Sequence, residues 1–186
     1  MNGKLFGMTL FSGTHEIGPI VAEVGAPAPL VYQMLGAIGQ GPQRPGERAE
    51  VLERNGDRFL CDFWTVVSLP IGQKRSVRTR EAVRLRPPDR VEYEHLDGPA
   101  RGLRESITVE PMGERCCRLV YRASYPPAGL LRSLGFRFLT RRAIQRAMEV
   151  HFDDVRERAE SRAARSRLFP GEVAIVASAG PGGPLV

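Results

Sequence analysis

The sequence predicts an α+β domain in which a curved antiparallel sheet wraps one long C-terminal helix and leaves an internal pocket. Three observations predict it. Segments between Arg48 and Tyr125 alternate apolar and charged residues with period two, and turn residues separate them; this is the pattern of an antiparallel sheet with one dry face and one wet face. From about Ala128 to Arg167 there is no proline, and apolar residues recur at steps of three or four, the pattern of an amphipathic helix. Strands in series followed by one long helix bury both apolar faces only if the helix covers the sheet.

The first strand runs from Thr14 to Val24, with Ile17, Val21 and Val24 among polar residues, and stops at Gly25-Ala26-Pro27. Pro27 suits a first helical turn, and Leu30, Val31, Met34, Leu35 and Ile38 follow at helical spacing, giving a short helix over about 27–38. Gly39 to Gly46 is loop. Strands follow at Arg48–Asn55 and Arg58–Val67, joined by a turn at Gly56-Asp57.

Gln73–Arg86 places Val77, Thr79, Glu81, Val83 and Leu85 on one face and Arg78, Arg80, Arg84 and Arg86 on the other. After Pro87-Pro88-Asp89, the strand Arg90–Leu96 sets Val91, Tyr93 and His95 against Glu92 and Glu94. After Asp97-Gly98-Pro99, Leu103, Glu105, Ile107 and Val109 oppose Arg104, Ser106 and Thr108. After Pro111-Met112-Gly113, Cys117, Leu119, Tyr121, Ala123 and Tyr125 oppose Arg118, Val120 and Arg122. Arg80 and Arg84 are expected to face Glu92 and Glu94, and these to face Arg104. Such cross-strand pairs contribute roughly 0.2–1 kcal/mol each. Leu130, Leu131, Leu134, Phe138, Leu139, Ile144, Met148, Phe152 and Val155 form the stripe of the long helix, with a break expected near Gly135.

The 186 residues suit one domain: an extension at 1–13, the folded unit at 14–167 and a Pro-Gly-rich mobile tail at 168–186. A chain of this size buries roughly 70% of its unfolded surface and needs neither disulfide nor metal to hold a core. No apolar run approaches the ~18 residues of a membrane-spanning helix, and the first residues do not read as a signal peptide. The expected location is cytoplasmic. Cys61, Cys116 and Cys117 are expected as free, partly buried thiols. The net charge of +6 is carried almost wholly by arginine. The arginines follow strand alternation rather than a cluster, with no nucleic-acid recognition motif, so they read as a solvated sheet face and no nucleic-acid partner is expected.

The strand followed by Ala26-Pro27-Ala28-Pro29-Leu30-Val31-Tyr32, and Glu81-Ala82-Val83 with Pro87-Pro88-Asp89-Arg90-Val91-Glu92-Tyr93, resemble the START-like superfamily, also called SRPBCC. Leu130 to Arg146 resembles the start of that family's terminal helix. The resemblance covers about residues 14–165. It implies a helix-grip: about seven antiparallel strands around a long helix, with a cavity between them. It also implies a place among lipid and hormone carriers or polyketide cyclases and aromatases. No Cys/His pairs at Rieske spacing occur. The Asp and Pro-x-Trp that often follow the family's first helix have no counterpart between Gly39 and Gly46, which leaves a second short helix at 39–47 open.

If the apolar face lines the cavity, its polar members are the candidate site: Glu81, Tyr93, His95, Glu105 and Tyr121, with Tyr125 at the margin. Tyr32 and Phe63 are candidate wall residues, and His151 joins them if its helix turns it toward the sheet. A carboxylate beside an imidazole is acid/base equipment, which makes His95, Glu81 and Glu105 the catalytic candidates. The stronger reading is structural or ligand-orienting. Three scattered histidines with no acidic residue at ligand spacing give no metal expectation, and no cofactor is expected. The expected partner is a small apolar molecule: a lipid, polyketide or isoprenoid. The alternative is a cyclase or dehydratase acting on a polyketide-like substrate. Arg132, Arg137, Arg141, Arg142 and Arg146, with no acidic residue between Leu130 and Met148, raise a sharper alternative to a solvated face, namely transient contact with anionic membrane. The oligomeric state is not legible.

Overall fold

The computed structural model describes residues 14–40, 45–68, 74–126 and 141–168. Seven strands form one antiparallel sheet: β1 (His15–Val24), β2 (Arg48–Asn55), β3 (Arg58–Ser68), β4 (Lys74–Arg86), β5 (Arg90–Asp97), β6 (Arg104–Pro111) and β7 (Cys117–Tyr125). The spatial order is β1-β7-β6-β5-β4-β3-β2. From β2 to β7 the chain is a simple meander, and β1 closes the far side against β7. Two helices complete the fold, α1 (Ala28–Gly36) and α2 (Arg141–Leu168). This is the expected α+β helix-grip. The extension at 1–13, the helical stripe from Leu130 to Leu139 with Gly135, and the tail beyond Leu168 lie outside the described residues. Around 39–47, the described positions are turn or irregular.

The alternation of the strands decides which face is dry. Val83, Val91, Ile107, Leu119 and Tyr121 are buried on the inner face. Arg78, Arg104 and Arg122 are exposed on the outer face. Val31 and Leu35 of α1, and Phe152, Val155, Ala159 and Ala163 of α2, close over the inner face. α2 packs chiefly on β1 and α1, while α1 reaches β5 and β6, so the two helices share the cover that the sequence assigns to one. Each fully buried Val, Leu, Ile or Phe side chain contributes about 1.5–3 kcal/mol. The backbone N–H of Gly25 donates to Glu160 Oε1 at 2.8 Å, tying the end of β1 to α2.

Two features depart from the pattern read in the sequence, the first at Val21, one of the apolar residues of β1. Val21 is 51% exposed. Ile17 faces Ala123 and Ile20 faces Tyr121, so β1 carries one extra residue in a bulge at Gly18-Pro19. The bulge reverses parity: Ile20, Ala22 and Val24 turn inward and Val21 turns out. Gly18 sits there at φ +98°, and a Cβ on it would lie 2.6 Å from the Tyr121 carbonyl oxygen.

The second correction concerns Arg80. Glu94 meets Arg104 at 3.0 Å as expected, and Glu92 lies opposite Arg84 in register, although its ion pairs are with Arg86 and Arg90. Arg80 turns away from these glutamates to Asp62 on β3. Asp62 is 5% exposed and accepts from Arg78 Nε at 3.0 Å and Nη2 at 2.6 Å, and from Arg80 Nε at 2.8 Å and Nη2 at 3.1 Å. A bulge on β5 sets Arg80 opposite Asp97, one step beyond the glutamate row.

The Arg80 hydrogen bond, opposed by burial and reinforced by Arg78, holds the Asp62 carboxyl at about 2, well below its ordinary 3.8. A carboxyl with a lowered folded-state pKa adds stability above its ordinary range and loses it as pH falls through the folded value. Asp62→Asn is therefore expected to lower Tm by about 3–6 °C at neutral pH. In thermal unfolding scans the gap to the parent chain should narrow below pH 4 and close near pH 2. A gap that stays constant across that range would show that the clamp is not the cause.

Candidate functional site

Four neighbouring strands bring ionisable side chains onto the dry face. Glu81 on β4 lies directly opposite His95 on β5. Tyr93, two residues before His95, lies opposite Glu105 on β6. Ile107 faces Tyr121 on β7, which sets Tyr121 diagonal to Glu105. Residues two apart on a strand share a face and neighbouring strands are about 4.8 Å apart, so the five groups converge.

The hairpin after β5 fixes the imidazole. The His95 N–H donates to the Leu103 carbonyl at 2.9 Å, and the Gly102 N–H donates to the His95 carbonyl at 2.8 Å. Gly98 begins the turn at φ +100°, where a Cβ would lie 2.8 Å from the Arg78 carbonyl oxygen.

The side chains form a chain of contacts. His95 Nε2 lies 2.8 Å from Glu105 Oε2, and Tyr121 Oη donates to Glu105 Oε1. His95 Nδ1 stands 3.4 Å from Glu81 Oε1; this is ion-pair distance, yet Nδ1 is buried without a hydrogen bond. Thr79 Oγ1 donates to Glu81 Oε1 at 2.5 Å. Glu81 and His95 are buried at 7% and 8% exposure. Among the described residues no guanidinium reaches Glu81 or Glu105, so the two carboxylates face one imidazole.

The electrostatics follow from that arrangement. Burial raises the Glu81 carboxyl, against the charge of His95 and the Thr79 hydrogen bond, and the Glu105 charge adds to the rise. Burial works against a charged His95, but the hydrogen bond to Glu105 and the charges of Glu81 and Glu105 outweigh it and raise the imidazole. Burial, then the charge of Glu105 and its hydrogen bond, push the Tyr121 phenol far up. Burial does the same to Tyr93, helped by Glu81 and Glu105. Cys61, opposite Glu81 on β3, is a buried free thiol raised to about 11 by burial, Glu81 and Asp62.

The remaining candidates stand apart from the cluster or beside it. Phe63 is partly buried against the core and sits opposite Thr79, so it flanks the Glu81 end. Tyr32 lies on α1, half-buried, with its hydroxyl enclosed and unbonded. Burial and the charges of Asp57 and Asp89 raise it, which places it toward the β2–β3 and β4–β5 turns. His151 is exposed. The stripe that faces the sheet runs through Met148, Phe152 and Val155, and one helical step of about 100° carries His151 out of it. A depression of about 550 Å³ over β3–β7 touches Tyr93 and Glu105, but its wall is mostly outer-face residues such as Arg84, Glu92, Arg104 and Arg122. It belongs to the wet side.

Sequence reasoning missed two features. Thr79 belongs to the cluster, and its place two residues before Glu81 on the same face was the available signal. The other is how closely Glu81, His95 and Glu105 meet: one oxygen or nitrogen atom from each lies within 4.8 Å of the others, although the residues are 14 and 10 positions apart along the chain. Register, not local spacing, gathers them.

No family model and no curated protein matches the sequence. Solved structures resemble its fold. The Zhui aromatase/cyclase from Streptomyces sp. R1128 superposes with a TM-score of 0.67 at 16% identity, over 81% of this chain and 96% of that one. A protein of Thermus thermophilus gives 0.60 at 19% identity, over 80% and 99%. The di-domain ARO/CYC StfQ from the steffimycin biosynthetic pathway gives 0.56 at 19% identity, over 81% of this chain and 52% of that one. These likenesses show the fold, the helix-grip that the resemblance implies.

Glu105 satisfies two buried donors at once. Replacing it by Leu should cost about 1–3 kcal/mol for each donor left unpaired. Adding Tyr121→Phe to Glu105→Leu removes one orphan and should recover part of that loss. Urea unfolding of the single and double variants reads this coupling, and strictly additive losses would contradict the chain of contacts.

Proposed function

We propose that this protein binds a small apolar molecule, such as a lipid, polyketide or isoprenoid, between the inner sheet face and the helices, with Glu81, His95, Glu105 and Tyr121 holding its polar end. One observation carries the reading. A face otherwise built mainly of Val, Leu, Ile, Ala, Phe and Cys holds two carboxylates and an imidazole, with the Tyr121 phenol bonded to one of the carboxylates. Burying ionisable groups is costly, and a core made only for stability does without them. An apolar wall with a few convergent polar groups is the usual form of a small-molecule site. A fold of this kind hosts many functions, so the weight falls on these residues, and the START-like resemblance supplies the class of ligand.

A second reading, a cyclase or dehydratase acting on a polyketide-like substrate, is favoured by one feature of the cluster. An imidazole set between two carboxylates can take a proton from carbon beside a carbonyl while a tyrosine hydroxyl polarises that carbonyl. The solved aromatase/cyclases of the same fold agree with this direction. Transient contact with anionic membrane during ligand exchange belongs with the binding reading. Arg141, Arg142 and Arg146 are exposed at the start of α2, where the first turn carries no acidic residue.

Mass spectrometry of organic extracts of the purified protein, run with and without chelator, tests the proposal. A co-purified or supplied lipid-like molecule should be retained, and His95→Ala or Glu105→Gln should weaken retention about 10–100-fold while the fold persists. Loss of polyketone turnover with binding intact would favour the enzyme instead. If both variants lower Tm and leave binding and turnover unchanged, the cluster is structural and the proposal fails. Binding to phosphatidylglycerol vesicles should weaken as salt rises; absent or salt-insensitive binding removes the membrane step.

A further inference from the structure

We infer that Glu81, His95 and Glu105 form a site for one divalent transition-metal cation, of the class represented by Zn²⁺ and Mn²⁺. The inference does not depend on which molecule occupies the space beside the sheet.

The donor set comes first. Two carboxylate oxygens and one imidazole nitrogen, all within 4.8 Å of one another, are the mixed oxygen and nitrogen donors that borderline divalent cations take. Bonds of about 2.0–2.2 Å put neighbouring ligand atoms roughly 3–4 Å apart. The 3.4 Å between His95 Nδ1 and Glu81 Oε1 falls in that range; Glu105, bonded to Nε2 on the other edge of the ring, becomes the third ligand by turning from that nitrogen toward the cation. Binding then replaces the His95–Glu105 hydrogen bond with two bonds to the cation.

The surroundings point the same way. His95 is 8% exposed, yet its Nδ1 has no hydrogen-bond partner, which is unusual for a buried polar atom. Each carboxylate already carries an outer contact of the kind that orients metal ligands: Thr79 on Glu81 and Tyr121 on Glu105. The ligands stand on three adjacent strands, β4, β5 and β6, rather than on loops. Charge supplies the last argument. Two carboxylates opposed by one imidazole remain net negative even when the imidazole is protonated, and among the described residues no guanidinium compensates them. A dication bound by two carboxylates and a neutral imidazole brings the sum to zero. Three protein ligands leave positions open for water or for an oxygen of a bound molecule.

The test uses the full chain after dialysis against chelator. Calorimetric titration with ZnCl₂ should give one equivalent per chain, and His95→Gln, Glu81→Gln and Glu105→Gln should each weaken binding at least 10-fold. His151→Ala, on the exposed helix face, should leave binding unchanged. A readout on the unmutated protein guards against variants that fail to fold. The chain has three histidines, and in imidazole ¹H–¹⁵N spectra Zn²⁺ should shift the His95 resonances while those of His15 and His151 stay in place. No saturable binding, or shifts confined to His15 or His151, overturns the site. Ligand retention measured in chelator separates this outcome from failure of the small-molecule reading.

Discussion

Register governs this structure more than any single contact. From β3 to β7 the antiparallel pairing keeps same-face residues in rows, and one such row runs Cys61, Glu81, His95. The next runs Val83, Tyr93, Glu105, Ala123. A slip of one residue in any pairing would carry arginines inward and the core outward. The polar cluster exists because two adjacent rows each carry ionisable members.

The two faces solve opposite electrostatic problems. Outside, arginines and glutamates alternate in water, and most of their pairs contribute little. Asp62 is the exception: it is nearly buried on that face and answered by two guanidinia. Inside, two carboxylates share one imidazole and two hydroxyl donors, with no guanidinium among the described residues. The charged face that dominates the composition is thus mainly solvated surface, and the chemistry concentrates where charge is scarce.

Much of this was legible before any coordinates. The period-two pattern placed β2 to β7 within about two residues of their ends, and it placed Glu81, Tyr93, His95, Glu105 and Tyr121 on the dry face. What escaped was set by geometry that the pattern does not encode. The inserted residue in β1 turned Val21 outward. The phase of α2, a fraction of a turn, decided against His151. Asp62 drew no notice in the sequence, because only the opposition of β3 and β4 reveals that Arg78 and Arg80 both reach it. Convergence of Glu81, His95 and Glu105 into one possible ligand set also depends on cross-strand register, which the separations along the chain conceal.

The pairing of β1 with β7 carries a consequence for the order of assembly. Every other strand pair joins neighbours in the chain, through turns as short as the one at Gly56-Asp57. Val24 must instead find Cys117 across nearly the whole strand-forming length. Such non-local closure is slow, because the entropy of the intervening loop is lost before the contact gives anything back. On the ribosome, the meander has its partners as each strand emerges, while β1, the first strand made, waits for the last. Until then the apolar residues Ile17, Ile20 and Val24 have no sheet to join, and this is the interval in which a nascent chain of this topology is most exposed to misassembly.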